Sequence, residues 1–174
     1  MINNEYICEL SIDFDVEYLL NLINNYKQDL SLLKHQRLVT NDQYLTSIQS
    51  KFQILSPIWN FYDLEPNKIL GCHIDSERSC ALNIPLKGTQ QSTTTFYNLP
   101  NTVDLEYDDK RKLNWVNCDN NDKVFEFTLT RPTLIKNSVP HSVINGPARR
   151  IIMSWSITKG ITFEEAREFF KNEV

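Results

Sequence analysis

The stretch CHIDSERSCALNIPL (72–86) sets a histidine and an aspartate two residues apart and follows them with an alternating run. On a strand, residues two apart project from the same face. His73 and Asp75 can therefore turn an imidazole nitrogen and a carboxylate oxygen toward one point without contorting the backbone. In the run that follows, Cys80, Leu82, Ile84 and Leu86 share one face, and Ala81, Asn83 and Pro85 share the other. The apolar row suits packing beneath an outer layer, which leaves Asn83 to point into the interior.

The same texture fills the chain from about Phe52 onward. The runs FQILSPIWNFYDL, KILGCHID, SCALNIPL, STTTFYNL, KLNWVNC, KVFEFTL, PTLIKN, HSVIN and RRIIMSWSI are short, β-rich and mostly separated by turn residues. No long helix lies between them, so crossover connections are absent and antiparallel sheets in a sandwich or barrel are expected. Before them, EYICELSI reads as a first strand. Val16, Leu19, Leu20, Ile23, Tyr26, Leu30 and Leu33 then recur at helical spacing, with Asp15 as N-cap. Residues 35–52 are polar, readable as a loop with a short helical turn, and His35 reads as bland surface in the helical region. At the other end, Thr162 and Glu165 form a capping box ahead of a short helix. The expectation is one mainly β domain over residues 1–174: an N-terminal strand and helices (1–51), a β core (52–158) and a C-terminal helix (159–174).

Composition limits what such a domain does. Eighteen Lys and Arg against 22 Asp and Glu leave a net charge of −4, which implies no basic face and makes nucleic acid an unexpected partner. The mixed cluster DDKRK (108–112) reads as a solvated loop. Cys8, Cys72, Cys80 and Cys118 show no C-x-x-C spacing, so they read as reduced thiols of a cytoplasmic protein. The N-terminus lacks a long apolar stretch, which predicts neither a signal peptide nor a membrane span. No interface pattern stands out, so the oligomeric state is open.

A lone H-x-D pair arises often by chance and is a weak motif; the rest of the chain gives it weight. His141, in NSVPHSVING, follows Asp75 by 66 residues and opens another strand. Two histidines and one carboxylate on one face of an octahedral metal leave three positions open, the donor set of non-haem Fe(II) oxygenases. Nine residues further on, in PARRIIMSWSI, parity separates two arginines. Arg149, Ile151, Met153 and Trp155 share one face, and Arg150, Ile152, Ser154 and Ser156 the other. A guanidinium inside a β core is costly unless paired, and its planar fork suits a carboxylate. Arg150 and Ser154 are thus assigned to an anionic ligand and Arg149 to solvent. A one-residue change of register would exchange the two arginines, and both could instead be edge residues that discourage aggregation. Trp155 reads as core.

His73-x-Asp75, His141 and Arg150 resemble the H-x-D…H…R signature of the 2-oxoglutarate- and Fe(II)-dependent oxygenases. RSCALNIPL resembles the strand after the H-x-D pair in the prolyl- and aspartyl-hydroxylase-like members, and PHSVINGPARRIIMSWSI resembles their last two core strands. An Arg with a Ser or Thr four positions later is also found there. The resemblance covers roughly residues 52 to 158. It implies a double-stranded β-helix (jelly-roll, cupin-like) core with helices outside one sheet. It implies Fe(II) held by His73, Asp75 and His141, and 2-oxoglutarate gripped at its distal carboxylate by Arg150. Asn83, Thr95 and Tyr97 are further contacts for that cosubstrate. The implied activity is a dioxygenase that consumes O2, converts 2-oxoglutarate to succinate and carbon dioxide, and hydroxylates an amino acid, a peptide side chain or another small polar substrate. The alternatives are a jelly-roll module that binds a ligand without turnover and a cupin-type metalloenzyme that does not use 2-oxoglutarate. Neither needs a cationic clamp at Arg150. The chain has few insertions, so substrate recognition falls to the segments 98–112 or 34–52.

Overall fold

A computed structural model describes residues 1–29, 35–39, 42–99, 105–109 and 112–173. In chain order the elements are β1 (Ile7–Glu9), α1 (Val16–Asp29), β2 (His35–Val39), α2 (Gln43–Lys51), β3 (Leu55–Leu64), β4 (Ile69–Asp75), β5 (Cys80–Lys87), β6 (Thr93–Tyr97), β7 (Glu106–Asp108), β8 (Leu113–Trp115), β9 (Lys123–Phe127), β10 (Thr133–Lys136), β11 (His141–Ile144), β12 (Arg150–Ile157) and α3 (Phe163–Glu173). The protein is mainly β. Its strands form two six-stranded antiparallel sheets, ordered β1-β10-β5-β12-β3-β2 and β7-β8-β4-β11-β6-β9. Two expectations change here. His35 opens a strand that pairs with β3, where Tyr62 is its partner, and does not belong to a helix. Residues 106–108 form a further short strand, expected as loop.

The helices lie outside the first sheet. Asp15 caps α1 by accepting from the Tyr18 N–H at 2.9 Å, and Leu19 and Ile23 bury their side chains. Leu30 and Leu33, read as continuing that helix, lie outside the described residues. Asp42 caps α2. The Thr162 hydroxyl accepts from the Glu165 N–H while the Glu165 carboxylate accepts from Thr162, so the capping box forms. Below the helices, Cys80, Leu82, Ile84 and Leu86 of β5 join Ile151, Met153 and Trp155 of β12 in one apolar cluster with Phe163 and Phe170. Each fully buried aromatic there contributes roughly 1.5–3 kcal/mol. A smaller cluster around Phe96, Phe127, Ile135 and Ile152 fills one part of the space between the sheets.

The opposite parity faces that space, and across the first sheet it is polar. Register pairs Asn60 with Ser154, Ser154 with Asn83 and Asn83 with Thr133, so four strands contribute to one inward row. At the entry to β12 the backbone is tied down. The Asn145 amide donates to the carbonyls of Glu65 and Ala148 at 2.7 and 3.0 Å, and its oxygen accepts from the Ser92 hydroxyl at 2.7 Å. Gly88 has φ +66°, and a Cβ there would run into the Arg149 carbonyl; glycine alone suits both demands. Among the described residues no helix is long and apolar enough to cross a membrane.

Candidate metal centre

His73 and Asp75 point from the same face of β4, and the β4–β11 pairing sets His141 directly opposite His73. All three side chains are buried, and one ligand atom from each lies within 4.8 Å of the others. Both imidazoles are oriented in the same way. Nδ1 of His73 donates to the Gly71 carbonyl at 2.8 Å, and Nδ1 of His141 donates to the Val139 carbonyl at 2.9 Å. A carbonyl only accepts, so the proton sits on Nδ1 and the Nε2 lone pair is left for the centre. Nε2 of His73 lies 3.8 Å from Oδ1 of Asp75.

Burial, followed by the neighbouring His141, lowers the His73 pKa to about 3, and burial lowers His141 as well. Both rings are therefore neutral, the state that ligates a metal. Burial alone would raise the Asp75 carboxyl. Arg78, with help from the two histidines, outweighs it and holds the group below its ordinary range.

Arg78 is the residue that sequence reasoning missed. Its Nε and Nη2 both donate to Oδ2 of Asp75. Nη1 donates to the Ser154 hydroxyl and Nη2 to the Tyr62 hydroxyl, each at 3.0 Å. One carboxylate oxygen is thus consumed by the protein, and Oδ1 is left for the centre. Its only sequence signal is a single arginine three positions after Asp75, inside a turn.

A cavity of about 390 Å3 has His73, Asp75 and His141 in its wall and continues past Asn83, Ile152 and Ser154 to Arg150. Arg150 is 3% exposed, and its Nε has no hydrogen-bond partner among the described residues. Burial lowers its pKa to about 10, so it is still a cation at neutral pH. Oδ1 of Asn83 is likewise buried without a partner among the described residues. Arg149 points the other way, gripping Asp63 through Nε and Nη2 at 2.7 and 2.6 Å. The inward parity of Arg150, Ser154 and Asn83 is as expected. Ser154 differs in one respect: its oxygen accepts from Arg78, which leaves its proton for the cavity.

Thr95 and Tyr97 do not line this cavity, and Thr94 does. Thr95 donates to Glu126 at 3.0 Å, and the Tyr97 hydroxyl meets that of Ser142 at 2.9 Å. Phe96 is the residue of β6 paired with His141, so the inward parity falls on Thr94 and Phe96. The cysteines also depart from expectation. Cys72 and Cys118 are joined in a disulfide, while Cys8 and Cys80 are free and buried. Pairing of His73 with Trp115 across β4 and β8 carries Cys118 to the strand that holds Cys72.

Two neutral imidazoles, a half-engaged carboxylate and open cavity space suit a divalent metal ion with room for further ligands. Comparison of the chain with family models found no match, and comparison with curated proteins found none either.

Proposed function

We propose that this protein is a 2-oxoglutarate- and Fe(II)-dependent oxygenase built on a jelly-roll sandwich. The topology supports the fold: β3, β4, β5 and β6 alternate between the two sheets, and so do β9, β10, β11 and β12. Two strand series winding together in this way are what a double-stranded β-helix requires.

The observation that carries the function is Arg150, a buried guanidinium with no ion-pair partner among the described residues, in the same cavity as His73, Asp75 and His141. A buried cation of this kind calls for an anion of matching shape. A module that only binds a metal, or a metalloenzyme without an acidic cosubstrate, has no use for it.

In this reading His73, Asp75 and His141 hold the iron. Arg150 takes the distal carboxylate of 2-oxoglutarate, with the Ser154 hydroxyl and the Asn83 carboxamide completing its polar surroundings. Arg78 holds Asp75 through Oδ2 and would leave Oδ1 for the metal, and the backbone carbonyls of Gly71 and Val139 fix the two rings. The apolar surfaces of Ile152, Leu113 and Trp115 limit water. Bound iron supplies the activation of O2, so that substrate C–H, O2 and 2-oxoglutarate become C–OH, succinate and carbon dioxide.

Anaerobic addition of Fe(II) and then 2-oxoglutarate tests the reading. The expected result is a weak metal-to-ligand charge-transfer band in the visible. Folded, iron-loaded protein that gives no band on adding the cosubstrate would refute it.

A further inference from the structure

A second cavity, of about 580 Å3, opens at the other end of the same strands. The two cavities share Tyr62, Asp75, Arg78 and Leu113. On β12 the inward row serves both: Arg150, Ile152 and Ser154 line the first, and Ser156 lines the second. The carboxylate of the metal group therefore stands between two spaces, each large enough for a small organic molecule.

The inner lining of the second cavity is polar and neutral. Asn60 on β3 and Ser156 on β12 are only 5% and 7% exposed. Neither side chain has a hydrogen-bond partner among the described residues. The Asn60 carboxamide and the Ser156 hydroxyl face the cavity and are hydrogen-bonding groups that a ligand seated there can engage. Asp75 and Arg78 neutralise each other, so the inner end offers no net charge and suits an uncharged group. The rim differs, carrying Lys112, Lys159 and Glu77. Lys112 is engaged by Asp109 at 2.6 Å, whereas Lys159 has no ion-pair partner among the described residues. The lining lacks the row of cations a nucleic-acid backbone needs.

An oxygenase of the proposed class needs two organic molecules beside one metal, and the Arg150 cavity accounts for one of them. We propose that the second cavity seats the molecule to be oxidised, a small polar carboxylate of amino-acid type. Its neutral hydrogen-bonding end meets Asn60 and Ser156, and its carboxylate lies toward Lys159 at the rim. This inference rests on the oxygenase reading.

The test uses protein holding Zn(II) and 2-oxoglutarate, which does not turn over, with saturation-transfer NMR as the readout. The probes are free L-asparagine, L-glutamine and L-serine, together with their C-terminal amides. At least one free acid should bind, and its amide should bind at least tenfold more weakly. Asn60→Leu and Lys159→Glu should each weaken the free acid by tenfold or more, with 2-oxoglutarate affinity held within twofold. Lys159 is exposed, so its variant keeps the fold intact. Equal binding of acid and amide, unchanged affinity in both variants, or no binding of any probe to protein that takes up 2-oxoglutarate would overturn the inference alone. Failure of the wild type to bind 2-oxoglutarate would remove the oxygenase reading with it.

Discussion

Arg78 holds Asp75 by one oxygen and leaves the other 3.8 Å from Nε2 of His73. The pair is buried, so neither partner is readily dispensable. Arg78→Met leaves a buried carboxylate without its counter-ion, and losing one partner of such a pair costs about 3–5 kcal/mol. The metal-free variant should show that loss in urea denaturation. Adding Asp75→Asn should restore most of it. Equal instability of the single and double variants would show that Arg78 acts through packing alone.

Arg150 should respond with the opposite sign. Its charge is buried with no ion-pair partner among the described residues, so Arg150→Met should leave the metal-free protein as stable as before, or more stable by about 1–3 kcal/mol. The same change should weaken 2-oxoglutarate by about 100-fold, near 2.7 kcal/mol, with metal affinity kept. Arg149→Ala should do the reverse, costing stability through Asp63 and sparing the cosubstrate. Calorimetric titration of both variants separates the two outcomes.

Removing a ring should empty the centre. His141→Ala takes away one of two nitrogen donors and should abolish Co(II) binding as followed by visible absorption, with the far-UV circular dichroism unchanged. Retention of wild-type Co(II) affinity would place the metal elsewhere.

Acid should weaken the metal-free fold early. His73 is lowered from 6.5 to about 3, and His141 is lowered too. Between those two pH values the unfolded chain holds a proton on His73 that the folded chain keeps off, and His141 acts in the same direction. Stability therefore rises with pH through this window and is lost as pH falls from about 6.5. Asp75, also lowered, adds a loss in the same direction at still lower pH. The urea midpoint should drop between pH 7 and pH 5, and His73→Gln should flatten that drop. A midpoint that holds steady or rises on acidification would contradict the burial of these rings.

The Cys72–Cys118 link closes a separation of 46 residues, for which chain entropy gives about 2–4 kcal/mol. Dithiothreitol should lower the melting temperature of the wild type and leave that of Cys118→Ser unchanged. Identical melting with and without reductant would mean that the link does not stabilise the fold.

Much of this arrangement is written in strand parity. Two-residue spacing brings His73 and Asp75 together, selects Arg150 over Arg149, and turns Asn83 inward and Leu82 outward; all of this is local. Thr95 and Tyr97 fail because parity fixes two faces without saying which is inside, and only the pairing of Phe96 with His141 decides that. Arg78 sits in a turn, where no periodicity speaks for it, and its partners Tyr62 and Ser154 lie 16 and 76 residues away. The cysteine link depends on β4 meeting β8, a long-range pairing that spacing does not announce. Residues 35–39 look like loop because an edge strand with few apolar residues carries little pattern.

The inward row of β12 has a longer consequence. Arg150 and Ser156 stand six residues apart on one strand, roughly 20 Å at the rise of an extended chain. That strand is laddered on both sides, to β3 and to β5. It works as a ruler that neither neighbour lets slide. On the proposed reading, a lineage seeking a new target molecule would exchange Ser156 at its outer end, together with Asn60 on the neighbouring β3, and leave the inner end as it is.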